Sequence, residues 1–158
     1  MSMESRVLQH WQRWGGSALG RWLYSRFLGF MAPYTGSIKP LVLKLEPGSA
    51  LIELKDRRFV RNHLNSIHAI ALANLGEVSS GLALLAALPE NVKAIVTKLE
   101  IEYLKKARGT LHAEGSAEVP FVITQPTAQM AYAEIKDELG DVVANIEVTW
   151  QIRLKEES

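Results

Sequence analysis

The sequence predicts an α+β fold in which one antiparallel sheet wraps a single long central helix, with an additional helix at the N-terminus. Three observations carry that expectation. Residues 67–88 form an apolar run stopped by Pro89. The run is rich in small residues, Ala69, Ala71, Ala73, Gly76, Ser79, Ser80, Gly81 and Ala83, which let a curved sheet approach a helix backbone closely. Beyond it the apolar period changes from near four to two, the signature of strands. A lone principal helix followed by strands with short connections is an α+β layout.

Each element has its own local reason. In residues 6–30, Val7, Trp11, Trp14, Ala18, Trp22 and Phe27 recur at helical spacing, with Gly15-Gly16 breaking the pattern and Pro33 ending it. Residues 39–45 and 49–55 read as strands around the turn Glu46-Pro47-Gly48. The basic, polar loop 56–66 leads to the long helix, capped by Asn65 or Ser66. In the next strand Ile95, Thr97, Leu99, Ile101 and Tyr103 are expected on one face, with Val96, Lys98, Glu100 and Glu102 opposite. Arg108-Gly109 reads as a hairpin turn into a strand over 110–119. Two more strands are expected, over 128–138 and 142–154; Val142, Ala144, Ile146, Val148, Trp150, Ile152 and Leu154 give the last an unbroken apolar face.

At 158 residues, 47% hydrophobic and 22% charged, the chain has the composition of one ordinary globular domain. Residues 1–32 are expected to form a helical segment and residues 33–158 the core. The balance of 18 basic against 17 acidic residues leaves no global field, so no nucleic-acid partner is expected. Absence of cysteine excludes disulfides, thiolate metal sites and Cys nucleophiles. Arg6, Arg13, Arg21 and Arg26 interrupt any secretory h-region, which makes the cytoplasm the expected location. Asn74, Glu77, Ser79 and Ser80 in mid-run mark 67–88 as a buried core helix rather than a membrane span. Trp11, Trp14 and Trp22 among arginines would suit an interfacial helix, but the stripe is expected to pack on the protein's own sheet or a partner subunit, without membrane contact.

Between Arg61 and Glu90, Glu77 is the only charged side chain apart from histidine. A carboxylate on a helix of small and apolar residues loses hydration, and its pKa rises toward the range of a general base. Taken alone, such a Glu fits a solvent-facing strip or subunit contact equally well. Ahead of the helix lies Arg61-Asn62-His63-Leu64-Asn65-Ser66-Ile67-His68. The unpaired N–H groups of a first helical turn can hold a polarised carbonyl, and an adjacent Asn or His can add a donor. The same residues also suit simple capping. No metal-ligand spacing, P-loop, G-x-G-x-x-G or G-x-S-x-G occurs.

Asn62, His68 and Glu77, spaced six and nine residues apart, resemble the Asn, His-Gly-Gly, Asp/Glu pattern of hot-dog-fold thioesterases of the phenylacetyl-CoA type. With Ala32-Pro33-Tyr34-Thr35-Gly36, the stretch is more similar to a domain-of-unknown-function branch of that superfamily. The resemblance implies an acyl-CoA or acyl-carrier thioester as substrate. It also implies Glu77 as base or nucleophile, Asn62 orienting water or substrate, and His68 with the Ala69 N–H at the carbonyl oxygen. Ala69-Ile70 replaces Gly-Gly, so Ile70 adds bulk where substrate should approach, with Ala73 one turn further along. A noncatalytic acyl-CoA or lipid-binding protein is the alternative. Thr97 is expected to assist from a strand facing the helix, and Arg61, Lys105, Lys106 and Arg108 to meet coenzyme A phosphates. No cofactor is expected beyond coenzyme A as part of the substrate. Nine residues at about 1.5 Å each separate His68 from Glu77 by more than ten Å, on opposite sides of the helix. A two-fold dimer with antiparallel helices would bring Glu77 of one chain to Asn62 and His68 of the other; the expected assembly is such a dimer, alone or paired as a tetramer.

Overall fold

Helix α4 (Ala69–Ala87) is the element around which the others are arranged. By length and composition it is apolar enough to cross a bilayer, yet 67% of that window is buried inside the fold, so it is the core helix. The computed structural model describes residues 6–119 and 122–155. Residues 1–5, 120–121 and 156–158, parts of the expected N-terminal segment and core, lie outside the described residues.

The sheet contains β1 (Leu41–Glu46), β2 (Ser49–Leu54), β3 (Val92–Tyr103), β4 (Leu111–Ala117), β5 (Thr127–Lys136) and β6 (Val142–Leu154). Its order is β1-β2-β4-β5-β6-β3, with every neighbouring pair antiparallel. This is the hot-dog fold: a sheet curled around one long helix, which contacts all six strands. Gly48, at φ +79°, makes the expected tight turn between β1 and β2.

Two strand expectations need correction. Arg108-Gly109 is not a hairpin turn, because β3 pairs with β6, from Val92↔Leu154 to Tyr103↔Ala144, and the chain then crosses to β4. Within β3 the side-chain alternation changes face at a bulge between Val96 and Lys98. Val92 and Ala94 are therefore buried before it and Leu99 and Ile101 half-buried after it, whereas Ile95 is 55% exposed. Thr97 is the extra residue of the bulge. It is exposed and donates its hydroxyl to the Thr149 carbonyl at 3.1 Å, so it does not face the helix.

The N-terminal pattern divides at Gly15-Gly16 into α1 (Val7–Trp14) and α2 (Ala18–Met31). The helix ends at Met31, just ahead of Pro33 as expected, and Pro33 also opens the short α3 (Pro33–Ser37), where its fixed φ suits a first helical position. The break rotates the two halves relative to each other. Val7 and Trp11 are buried, while Trp22 is 51% exposed, so the expected stripe packs only in part. Tyr24 and Ser25 fasten α2 in place. The buried Tyr24 hydroxyl donates to the Val7 carbonyl, and Ser25 Oγ accepts the N–H of Val42 on edge strand β1.

The closest helix–sheet approach lies at Gly115 of β4, where a Cβ would sit 2.1 Å from the Ser79 carbonyl oxygen. Gly115→Ala must push α4 off the sheet, a cost of about 1–3 kcal/mol. Gly16, with nothing within 4 Å of a Cβ, is the control. Urea unfolding should show a clear loss for Gly115→Ala, whereas Gly16→Ala should stay within about 0.5 kcal/mol of the parent.

Candidate active site

The loop before α4 is built on Asn62. Its Oδ1 accepts hydrogen bonds from Leu64 N, Ser66 N and Ser66 Oγ at 2.9, 3.2 and 3.1 Å. These three donors fix the amide's orientation, so Nδ2 remains the outward donor, unpaired among the described residues. A bridge between Arg61 and Ile67 closes the loop, with Asn65 at φ +55°. The Ile67 N–H bonds to the Ala107 carbonyl at 2.8 Å, which brings Lys106 and Arg108 to the same end of the helix.

The cap is neither Asn65 nor Ser66 but His68, two residues later: its Nδ1 accepts the Ile70 N–H at 3.1 Å. In the neutral ring the proton must then lie on Nε2, which makes that nitrogen a donor. The N–H groups of Ala69 and Ala71 have no acceptor among the described residues. Of these residues His68 and Ala71 line a cleft of about 510 Å³ whose wall also includes Tyr34, Lys39, Arg57, Phe59, Ile70 and Asn74, whereas Asn62 and Ala69 are not part of its wall.

Glu77 does not line that cleft. It lies in a separate depression of about 180 Å³ with Val7, Leu28, Ala32, Thr35 and Trp150. Nine residues of helix set it about 13 Å along the axis from His68. Among the described residues no donor or cation meets its side chain, and desolvation raises its pKa above the ordinary 4.5. Ile70, Asn74, Glu77 and Gly81 follow a 4-3-4 spacing and share one helix face, with Gly81 against the Trp150 ring of β6.

Asn74 and Tyr34 were not singled out as site residues by the sequence. Asn74 is 5% exposed; its Nδ2 donates to the Tyr34 carbonyl at 3.0 Å, and its Oδ1 is buried without a partner. Trp150 Nε1, in the wall beside Glu77, is also buried without an acceptor. One orphaned atom is on α4 and the other on β6, and each buried polar atom without a partner calls for an explanation, a site being one. The available signal was an Asn three residues before the lone acid, on the same face.

The remaining expected residues divide. Arg61 lines the cleft and pairs with Asp56 at 2.6 Å. Desolvation pushes the Asp56 carboxyl up, but the Arg61 hydrogen bond, the Gly109 N–H and the Arg61 charge together hold it below the usual range. Lys105 is engaged by Asp137 and Asp141 at 2.7 and 2.6 Å. Lys106 and Arg108 are exposed and carry no ion pair among the described residues. Ile70 is 53% exposed at the cleft, and Ala73 is half-buried outside its wall. Among the described residues no cluster of His, Cys, Asp or Glu has the arrangement of a metal site.

A helix-wrapping sheet with free donors at the helix start and an unpaired acid on its outer face defines a hot-dog protein with a candidate two-part site. The chain belongs to the family described as domain of unknown function DUF4442, whose model matches residues 20–152. No curated protein matches it in sequence. A structural-genomics protein, APC5556, is 27% identical with a TM-score of 0.80, over 97% of this chain and 99% of that one. A Pseudomonas aeruginosa protein of unknown function, described as a probable thioesterase, is 21% identical with a TM-score of 0.72, covering 86% and 94%. A thioesterase family protein from Silicibacter pomeroyi shares 15% identity at a TM-score of 0.69, covering 82% and 96%. The last two likenesses are likenesses of fold.

Asn62→Ala leaves Ser66, itself buried, and two loop N–H groups without their acceptor, and should cost about 1–3 kcal/mol in chemical denaturation. Asn62→Asp keeps the acceptor for these three donors while replacing the Nδ2 donor by a charged oxygen, so it should unfold closer to the parent than Asn62→Ala does.

Proposed function

We propose that the chain is a thioesterase that hydrolyses an acyl-CoA or acyl-carrier thioester at a site shared between two protomers. The observation that carries the reading is Glu77: a partly buried carboxylate without a cation or donor, its pKa raised by desolvation, on the helix whose first turn offers unpaired N–H groups. In this reading Glu77 takes a proton from water, or attacks the thioester carbon itself, with the pair ending on the carbonyl oxygen. The Ala69 N–H and His68 Nε2–H stabilise that oxyanion. Asn62 Nδ2 positions the water or the substrate. With Glu77 as base, water forms the C–O bond, and collapse of the tetrahedral intermediate breaks the C–S bond, the thiolate taking the proton that Glu77 removed from water and leaving the carboxylic acid. With Glu77 as nucleophile, collapse leaves a Glu77–acyl anhydride that a water then hydrolyses to the acid and free Glu77.

Within one protomer Glu77 and the donors lie too far apart to act on one carbon. A two-fold axis that sets Glu77 of one chain beside the Asn62–His68 segment of the other resolves this and gives two equivalent sites. Strand β3 supports such pairing: it is a twelve-residue edge strand with one side of its backbone unmatched. Exposed Ile70, Tyr103 and Leu104, near the same helix end, offer apolar surface for a subunit or an acyl chain. Further pairing of dimers into a tetramer, coenzyme A phosphates on Arg61, Lys106 and Arg108, and a cytoplasmic location belong to the same reading. The alternative, an acyl-binding protein without turnover, is favoured by Ile70 standing 53% exposed at the cleft where the resemblance expects glycine.

An acyl-CoA panel with a thiol reagent separates the two readings. Glu77→Gln should lower turnover by roughly a hundredfold or more while substrate still binds. Because burial raises the Glu77 pKa, the native state holds that proton more tightly than the unfolded chain does, and stability is lost as pH rises through the folded-state value. The same variant should therefore melt higher than the parent at neutral pH, by a margin that shrinks on acidification. Mixing Glu77→Gln with His68→Ala subunits tests the shared site: random reassortment leaves about a quarter of sites intact, so activity should return to about that level. Release of thiol by Glu77→Gln at the parental rate overturns the catalytic assignment.

A further inference from the structure

The outward face of α2 is the molecule's most exposed apolar helix surface, and nothing in the thioesterase reading uses it. Leu19, Trp22, Leu23, Phe30 and Met31 are 67, 51, 46, 81 and 44% exposed. Tyr24, Ser25 and Leu28 form the opposite, buried face. Leu19, Trp22, Leu23 and Phe30 lie on one side of the helix at the 3.6-residue period, with Arg26 among them. A helix tied down by its polar contacts through Tyr24 and Ser25 thus turns its bulkiest apolar residues outward. Patches of this kind on a folded domain mark an interaction surface.

Charge selects the partner. From Ser5 to Leu45 the sequence has no acidic residue, but it has Arg6, Arg13, Arg21, Arg26, Lys39 and Lys44; of the chain's 17 acids only Glu4 precedes Glu46. Of these basic residues, Arg26 and Lys39 border Phe30 on the outward side with no ion pair among the described residues, whereas Arg21 falls at the helical position of the buried Leu28. A second copy docking isologously through α2 would set like charges against like, since a two-fold contact repeats the same patch on both sides. An anionic bilayer surface meets both demands: it takes the aromatic and aliphatic side chains into its headgroup boundary and offers counter-charge to the arginines. We propose that α2 is a membrane-docking surface that lies flat on anionic phospholipid, with Trp22 and Phe30 inserted and the α4–sheet body held above the bilayer. This departs from the expectation that the Trp-rich stripe packs internally, because Gly15-Gly16 lets only its first half do so.

The test is co-sedimentation of the full chain with phosphatidylcholine vesicles containing none or about a third phosphatidylglycerol. Expected is partitioning onto the anionic vesicles, weakened by added salt, and little onto phosphatidylcholine alone. Trp22→Ser with Phe30→Ser should reduce it roughly tenfold or more. Both side chains are exposed, so the circular dichroism spectrum and melting temperature should hold; if the double variant misfolds, Leu19→Ser with Leu23→Ser on the same face gives a second reading through the same loss of partitioning. Absence of binding by the parent, or equal binding by parent and a folded variant, overturns the proposal. So does a drop in oligomer size on light scattering for Trp22→Ser with Phe30→Ser, which would make the face a contact between copies. Thioester hydrolysis in free solution is read separately and should be unchanged by these variants, so the two proposals fail independently.

Discussion

The closeness of α4 to its sheet governs the rest of the molecule. With Gly115 lying against the Ser79 carbonyl, and Ile146 against Gly76, the inner face of the helix has no room for a functional side chain. Even its hydroxyls turn back on the helix, Ser79 to Leu75 O and Ser80 to Gly76 O. That leaves the outer face for polar work, and there Ile70, Asn74 and Glu77 align. The same small residues that let the sheet close are what isolate Glu77 from other charged groups. Tight packing and an unusual carboxylate therefore have one cause.

The charges divide accordingly. At the rim they are paired and hydrated: Arg61 with Asp56, Lys105 with Asp137 and Asp141, Lys136 with Glu114 and Glu134. Exposed pairs of this kind contribute little to stability. Among the described residues Glu77 has no such partner, and its desolvation weighs against the fold whenever it is ionised. A protein that keeps a carboxylate in such a position retains a group more basic than its neighbours and without a competing donor. The cost is borne by the native state, and the benefit appears only when a proton or an electrophile arrives.

What the sequence disclosed was what is local. The α4 run, the Pro47-Gly48 turn and the alternation of β4 and β6 each depend on neighbours in the chain, and all are found. The errors are non-local. No period of two could reveal that β3 joins β6 instead of β4, since that choice is made by strands forty residues apart. Thr97 was put on the wrong face because one extra residue in a bulge reverses every side chain beyond it. The helix began late because a histidine ring supplied the cap normally expected of Asn or Ser. Within the site, the donor loop and Glu77 were legible as unusual residues in ordinary surroundings. Asn74 was not: its interest lies in a bond to the Tyr34 carbonyl and an orphaned oxygen, and both depend on α3 folding back over α4.

The N-terminal helices connect the two proposals physically. Val7, Leu28, Ala32 and Thr35 roof the depression that holds Glu77, while the side of α2 facing away from Leu28 carries Trp22 and Phe30. One segment is therefore both the cover of the carboxylate and the surface offered to lipid. Its polar attachments to the body include the Gln9 amide to Glu90, the Val42 N–H to Ser25 Oγ and Arg26 to the Pro40 carbonyl, while the Tyr24 hydroxyl to Val7 O and the packing of Trp11 on Tyr24, ring centroids 5.2 Å apart, join α1 to α2. On the two readings together, a bilayer that takes up the outer face of α2 acts on the roof over Glu77, and access of an acyl chain to the acid becomes sensitive to whether the helix is docked.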